Sequence, residues 1–536
     1  MPRVPAAPGP EWEWVFARDG TLTVRRDADG GFWGGCSVPT RRARLQLRDY
    51  APPTLHGTAC LLAPAHPADA RAALDRLPAE HALLVLIPNA DAATVFLRAD
   101  DFSAHIARGR VFVHWGEDWA DQLRGTLLDH PGLAIPTQFI RLKSADVSAA
   151  EAMIAPAQAV FSEVARVRAA EWESIISPSA SVPVRTGRLC VVAGSRFRLW
   201  HDAGMQLLEV LSSERGIDAA HFDVDDPLCA TPLALARAAR EATAVVAADR
   251  CRADLPAGAF PLDRPWVTWL THTRPIPAWT SAGLGDALLV ADRSLHDAAI
   301  AAGWPAARVH RVAWPTTRSI ERANASDGSV LAIIADVHPL HPPEDLNQFS
   351  SHRLLWEWLA EHLRRDTFAS TDNAQALLRQ GMQKLGVDEQ GFPFARFENE
   401  LVASAHAVGT ARCLLSRCAT TGRIELRLHG DGWDAFDDLR AFHRGPVRTR
   451  DQFRAAVGAA TAVVHVGLTS GPHPIDAVGR PVVRRPHGQG EAALRTAVEA
   501  ALRGETSPPV DPAPSLDARA LLVLCGLRLP GMPIAA

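Results

Sequence analysis

The chain has 536 residues, of which 47% are apolar and 22% charged, a balance typical of a globular protein with room for two to four domains. Its formal net charge of −4 gives no overall basic excess, so we expect no nucleic acid as the main partner. The sequence has no apolar run of about 18 residues and no apolar signal core near its start, which predicts a cytoplasmic protein without a membrane span.

The cysteine and lysine content indicates which metal-binding and phosphate-binding groups the chain can offer. The eight cysteines are scattered without zinc-type spacing, and Cys413 and Cys418 are the one close pair, so we expect reduced core residues. Lys143 and Lys384 are the only lysines, so arginine supplies nearly all the positive charge. We therefore expect phosphate contacts from arginine side chains or backbone N–H groups.

The first third of the chain predicts an accessory α/β region over 1–144. Short alternating segments at 21–25, 30–36 and 43–47 predict a small β element. Further on, apolar runs typical of buried strands alternate with helical patterns. The predicted strands are 59–62, 82–87 and 110–114, and the predicted helices are 67–77, 89–98 and 117–129.

A long helical pattern at 145–176 and a Ser/Pro-rich stretch at 177–187 predict a connecting helix and linker. A second α/β domain is expected over 188–325, with strands and helices in alternation. Its predicted strands are 188–194, 219–223, 244–249, 266–271, 287–292 and 309–314, and its predicted helices are 203–214, 231–242 and 294–302.

The third α/β domain is expected over 326–503, followed by a tail at 504–536. Its first strand is predicted at 330–336, with helices at 351–364, 372–385 and 393–416. The stretch 424–483 then reads strand, helix, strand and turn. Thr449 with Gln452 predicts a capping box at the start of a helix over 449–459. We also predict strands at 424–429, 462–467 and 482–483, with a short one at 442–445.

Two glycine turns follow predicted strands in this stretch. The first is His429-Gly430-Asp431-Gly432-Trp433, and the second contains Ser470-Gly471. Downstream come Asp476-Ala477 and Gly479-Arg480-Pro481-Val482-Val483. Ligand sites in parallel sheets lie beyond the carboxyl ends of the strands, and both turns are expected there.

This succession resembles the nucleotide-binding half of GT-B glycosyltransferases, and most closely the spore-maturation-type (CgeB-like) group. The resemblance covers roughly 186–500. It implies two Rossmann-like domains facing across a cleft, here preceded by the additional N-terminal α/β region. It also implies a nucleotide-sugar donor, a protein or glycan acceptor, and no metal or other cofactor. The segment from Asp476 to Gly479 is shorter than the family usually has.

The candidate substrate-binding residues follow from these turns. Gly430 and Gly432 would let the backbone approach a nucleotide and Trp433 would line its pocket, although a plain tight turn with a core tryptophan is the alternative. Ser470 and Gly471 would present helix N–H groups to a diphosphate, although an N-cap serine and a loop glycine, followed by a surface histidine, are the alternative.

Other side chains are candidates beside the turns. His473 would contact phosphate or sugar, and Asp476 would accept from ribose hydroxyls, as the resemblance implies. The alternative for Asp476 is an acid that stabilises a helix dipole. Arg353, beside His352, opens a helix and would pair with phosphate, as would Arg412 and Arg417; a solvated first turn is the alternative for Arg353. Arg480 is expected to be structural.

Candidate catalytic residues come from the second domain. His201 and Asp202 would form a general-base pair that activates the acceptor, and His272 is an equal candidate. The alternative for Asp202 is a helix N-cap. His338 and His341, near Glu344 and Asp345, lie in a proline-rich loop that does not hold them at metal-ligand spacing.

The resemblance implies a metal-independent GT-B-type glycosyltransferase, and the glycine turns after the strands are its expected site. A protein that kept this fold for binding or scaffolding, without turnover, is the alternative from another class. A sugar-nucleotide epimerase would require a clearer set of cleft carboxylates.

Overall fold

The computed structural model describes most of the chain. The described residues are 11–26, 28–50, 57–78, 80–143, 147–176, 187–194, 202–214, 216–255, 260, 262–270, 276–283, 285–290, 293–312, 329–343, 346, 350–388, 392, 397–421, 424–466, 480–483, 490–504, 518–525 and 527.

The chain forms two compact units. The first comprises Met1–Ser195, Ala220–Ala242 and Leu255–Pro261. The second comprises Arg196–Ala219, Thr243–Asp254 and Leu262–Ala536. The five segments predicted from the sequence stay a prediction.

A two-stranded antiparallel hairpin opens the first unit, with β1 at Trp12–Phe16 and β2 at Leu22–Arg26. Helix α1 follows at Pro39–Gln46. The prediction of a strand at 43–47 was wrong, because the alternating pattern there also places Ala43 and Leu47 four residues apart on one buried helix face. The predicted strand at 30–36 is instead a single bridge at Phe32 and a 3₁₀ turn at Trp33–Gly35.

The first parallel sheet has the order β5-β4-β3-β6. Its strands are almost wholly apolar, as expected for strands covered on both faces. Helices α2 and α3 pack on one face, and α5 and α6 pack on the other. The strands are β3 Thr58–Leu62, β4 Ala82–Ile87, β5 Val111–Trp115 and β6 Phe139–Arg141; the helices are α2 Pro67–Leu74, α3 Ala90–Ala99, α4 Ser103–Ala107, α5 Trp119–Asp129 and α6 Val147–Ile176.

The long helix α6 is part of this first core. Met153, Val160 and Val164 are buried against the sheet and α5. Further along the helix, the Arg168 guanidinium donates to the carbonyl oxygens of Leu127, His130 and Leu133 near the end of α5. The Leu127 carbonyl lies in the last turn of α5, where a helix leaves carbonyls without a partner within the helix, and Arg168 supplies one.

The middle sheet has six strands in the order β12-β11-β10-β9-β7-β8. Strands β9 to β12 pair in parallel. All six strands begin and end close to their predicted limits. They are β7 Arg188–Ala193, β8 Asp218–Asp223, β9 Ala244–Ala248, β10 Trp266–Leu270, β11 Ala287–Val290 and β12 Val309–Arg311, with helices α7 Asp202–Ser212, α8 Pro232–Ala239 and α9 Arg293–Ala301.

The third sheet is parallel, with the order β14-β13-β15-β16. Its strands are β13 Ser329–Ile334, β14 Ile424–His429, β15 Ala462–Val464 and β16 Val482–Val483. The helices of this region are α10 Ser350–Arg365, α11 Thr367–Asp372, α12 Ala374–Leu385, a π-helix at Phe397–Val402, α13 Ala403–Thr421, α14 Arg450–Gly458, α15 Glu491–Leu502 and α16 Ala518–Leu524.

Helices cover both faces of this sheet. α13 and α15 pack on one face, and α14 packs on the other. α10 and α12 bury Leu355, Trp356 and Met382 in a separate core with the π-helix. The predicted cap of α14 is confirmed, since the Thr449 side chain accepts from the Gln452 N–H. The predicted strand at 442–445 is reduced to one bridge between His443 and Leu428.

The protein is thus a mixed α/β protein with several parallel sheets. In the part of the chain that the structure describes, the helices are too short or too polar to cross a membrane.

Candidate functional site

The strand order of the third sheet defines one edge as the candidate site. β13 lies between β14 and β15, so the chain leaves β13 for a neighbour on one side and later enters β15 on the other side. Ligands in open parallel sheets of this order bind in the crevice at the carboxyl ends of the first and third strands. Here these are the ends of β13 and β15, followed by 335–343 and by His465-Val466.

The glycine turn after β14 packs on the chain that follows β13. The Ala335 N–H donates to the His429 carbonyl at 2.9 Å, and the Val337 N–H donates to the Asp431 carbonyl at 2.9 Å. A Cβ on Gly430 would lie 2.1 Å from the Ala335 oxygen, and one on Gly432 would lie 1.8 Å from the Val337 oxygen. Contact within the protein therefore accounts for both glycines, and their role in substrate binding stays a prediction.

Trp433 belongs to the core. Its side chain is 0% exposed, and its indole N–H donates to the Ala335 carbonyl at 2.8 Å. A fully buried ring cannot touch a ligand in an open crevice, so the expectation that Trp433 lines the pocket was wrong. The alternative, a tight turn with a core tryptophan, describes this residue.

Polar side chains, most of them exposed, surround the turn. The Asp336 carboxylate accepts from the Asp431 N–H at 2.8 Å, and the Arg448 guanidinium lies 3.2 Å from the Asp431 carboxylate. His443 bridges the Gly430 carbonyl and the Asp434 carboxylate, at 2.8 and 2.9 Å. The sequence analysis missed Asp336, His443 and Arg448. Asp336 had a local signal, since it is an acid at the end of an apolar strand.

His429 ends β14 beside this turn. Its Nε2 is buried without a hydrogen-bond partner among the described residues. Burial, together with the positive charge of Arg427, lowers the pKa of His429 to about 4. The ring is therefore neutral near pH 7 and adds no positive charge to the edge of the sheet.

Most of the other predicted site residues are not placed by the structure. Ser470, Gly471, His473 and Asp476 lie outside the described residues. The same holds for His201 and His272 and for the acids Glu344 and Asp345. Asp202 begins α7, but its side chain is not among the described ones.

The predicted phosphate-binding arginines that are described have partners in the protein. Arg353 is exposed near the start of α10 and lies 3.5 Å from Glu357, as the solvated first turn predicts. Arg412 holds Asp438 through two bonds of 2.7 and 3.0 Å. The side chain of Arg417 is outside the described set. Arg480 is buried and donates to the Gly458 carbonyl, which confirms its structural role.

His338 and His341 lie in the loop after β13. The His338 N–H donates to the Ser404 hydroxyl at 2.8 Å, which fixes the loop against α13. Within the described ranges, no three His, Cys, Asp or Glu side chains come together in a group that could hold a metal ion.

No family model matches the chain, and neither a curated protein nor a solved structure is similar to it at a significant level.

Proposed function

We propose that the chain is a metal-independent glycosyltransferase of GT-B type, with the third sheet as its nucleotide-sugar domain. The observation that supports this proposal is the strand order β14-β13-β15-β16. Open parallel sheets of this order bind ligands at the ends of the first and third strands, which here are β13 and β15. The predicted diphosphate-binding residues Ser470, Gly471 and His473 come a few positions after β15 in the sequence.

The exposed groups at this edge suit a nucleotide-sugar. Arg448 is 69% exposed and would turn from Asp431 toward a diphosphate, since arginine binds phosphate through two parallel hydrogen bonds. Asp336, also exposed, is an acceptor for sugar or ribose hydroxyls. A diphosphate bound by arginine and backbone N–H groups requires no metal.

The middle sheet takes the acceptor side in this proposal, which gives the chain two Rossmann-like domains. His201, Asp202 and His272 are the candidate general bases for a protein or glycan acceptor. Each follows a strand of this sheet in the sequence, as expected for a site at the carboxyl edge.

The test is calorimetric titration of nucleoside diphosphates and nucleotide-sugars into the full-length protein. Gly471→Val should weaken binding most, because a side chain would stand where the phosphate approaches the backbone. Arg448→Gln and His473→Ala should each remove one contact to a charged group, a loss of about 1.5–3 kcal/mol. Arg365→Gln is the matched control and should bind as wild type does, because Arg365 is an exposed arginine at the end of α10 that is bonded to Glu361.

Two results would count against the proposal. Unchanged affinity in a folded Gly471→Val protein would mean that the nucleotide binds elsewhere. No affinity of the wild type for any nucleotide would remove the donor site altogether.

The short segment from Asp476 to Gly479 favours one second candidate, a protein that binds the nucleotide-sugar without transferring it. Tight nucleotide binding with no sugar released or transferred, across a panel of acceptors, would favour this candidate.

A further inference from the structure

Two adjoining cavities lie in the first unit beside α1. One has a volume of about 330 Å³ and the other about 400 Å³. Thr40 and Arg44 line both, so the two cavities form one groove with Arg44 at the junction. A few hundred Å³ is the usual scale of a small-molecule site.

The second cavity is lined by three arginines of one short stretch. Arg41, Arg44 and Arg48 recur at spacings of three and four residues, which places them on one side of a helix and its continuation. Arg41 and Arg44 are exposed and have no side-chain hydrogen bond or ion pair within the described part of the chain. Arg48 is 80% exposed and approaches only its neighbour Asp49, at 3.9 Å.

The other arginines near this groove are used within the protein. Arg42 donates to the buried Asp69 carboxylate and to the Gly34 carbonyl. Arg71 holds Asp100 through two bonds of 2.6 and 2.9 Å and lies over the ring of Phe102. Arg42 and Arg71 are therefore engaged within the protein, whereas the arginines that line the second cavity are available to bind an anion.

The groove is held by a contact between the hairpin and α1. The Asp19 carboxylate accepts from the Thr40 N–H at 2.8 Å and from the Thr21 hydroxyl at 2.6 Å. One acid therefore ties the hairpin turn to the first turn of the helix that carries the arginines. These bonds also engage the one carboxylate that lines the second cavity, which leaves its arginines as the groups that face a ligand.

The first cavity has partly apolar walls and an available carboxylate, in contrast to the arginines of the second cavity. Asp75 lines it, is exposed, and has no side-chain partner among the described residues. Asp100, the other acid there, is held by Arg71. The walls otherwise include apolar Leu22, Ala72 and Ala99. An apolar wall with one available carboxylate fits a compact body that carries hydroxyl groups.

We propose that this groove binds a phosphorylated polyol of monosaccharide size. The phosphate lies in the second cavity against Arg44, with Arg41 and Arg48 beside it. The hydroxylated body lies in the first cavity, where the Asp75 carboxylate accepts from it. This site is independent of the nucleotide-sugar site proposed at the third sheet.

The experiment is calorimetric titration of the full-length protein with a hexose 6-phosphate, the unphosphorylated hexose, inorganic phosphate and a nucleoside diphosphate. Wild type should bind the hexose phosphate more tightly than either of its halves. Arg44→Gln should weaken both the hexose phosphate and inorganic phosphate about tenfold or more, since a charge-assisted bond is lost. Asp75→Asn should weaken the hexose phosphate and leave inorganic phosphate unchanged.

Arg166→Gln is the matched control, because Arg166 is an exposed arginine of α6 that lines neither cavity. It should bind every probe as wild type does. Equal affinity of Arg44→Gln and wild type for the hexose phosphate would overturn the proposal, as would no binding of the hexose phosphate by wild type. Equal affinity of Arg44→Gln and wild type for the nucleoside diphosphate would mean that this ligand binds outside the groove, as proposed for the third sheet. The two proposals can therefore fail independently of each other.

Discussion

Gly432 lies against Val337 so closely that a Cβ on the glycine would stand 1.8 Å from the valine carbonyl oxygen. Its φ of +87° is also one that other residues rarely adopt. The turn after β14 and the segment after β13 are therefore packed directly against each other at the edge of the third sheet.

Gly432→Ala should lower the free energy of unfolding by more than about 2 kcal/mol, because it adds a steric overlap to backbone strain. Gly445→Ala is the control, since Gly445 also has positive φ but has open space around its Cα. The control should lose only about 1–2 kcal/mol, for the strain alone. Urea unfolding of both variants measures the difference, and equal losses would contradict a packing role for Gly432.

Trp433→Phe should reduce stability by about 1–3 kcal/mol, because it removes the indole N–H that donates to the carbonyl of the partly buried Ala335. The substitution should leave nucleotide affinity unchanged, since Trp433 is fully buried. Unfolding curves and calorimetric titration test the two statements separately. A folded Trp433→Phe protein with lost nucleotide affinity would return this residue to the binding site.

Asp286→Ala should cost about 3–5 kcal/mol of stability, because it removes the carboxylate to which the buried Arg252 guanidinium is bonded. Arg252 donates to both Asp286 oxygens, at 2.8 and 2.6 Å, and the Trp266 and Gly283 N–H groups donate to the same carboxylate. Thermal or urea unfolding measures the loss.

Asp297→Ala is the comparison for this pair. Asp297 is 66% exposed and lies 3.9 Å from Arg293, so its loss should change stability by less than about 1 kcal/mol. Similar losses in the two variants would mean that the buried network contributes no more than a surface pair.

His114 should make stability depend on pH. It is 4% exposed, and burial lowers its pKa to about 4. An unfolded histidine titrates near about 6.5, so the unfolded chain binds more protons between these values. The stability from the neutral ring is fully present above about pH 6.5 and is lost as pH falls toward about 4.

His114→Phe removes this titration. The wild type should lose up to about 3 kcal/mol more than the variant between pH 7 and pH 4, as an upper limit for this shift. Urea unfolding at a series of pH values gives both curves. Parallel curves would show that protonation of His114 is not linked to unfolding.

The sequence predicted those elements that are determined by neighbouring residues, such as buried apolar strands and helix caps. The apolar runs that became β4 and β10 and the Thr449 cap of α14 lie within a few residues of where they were expected. Helix α1 was missed because Ala43, Leu45 and Leu47 alternate like a strand, while the helical spacing of Ala43 and Leu47 was overlooked. Pro39 at its first turn was the available signal.

The reason for the glycine turn could not be read from its neighbours in sequence. Asp431 and Asp336 are hydrogen-bonded although they are 95 residues apart, and the glycines are required by the same distant segment. A glycine that packs against a distant segment of the chain and a glycine that contacts a ligand have the same neighbours in sequence. Tertiary structure was needed to separate the two.

The pairing of β13 with β14 also has a kinetic consequence. Ser329 lies opposite Ile424, with helices α10 to α13 between them in sequence. Closing so long a loop in a disordered chain is slow, because the entropy is lost before the sheet is gained. Leu355, Trp356 and Met382 join α10 and α12 in a core separate from the sheet, so early assembly of these helices would shorten the effective loop. We therefore expect the helices to gain protection from hydrogen exchange before β14 does during refolding.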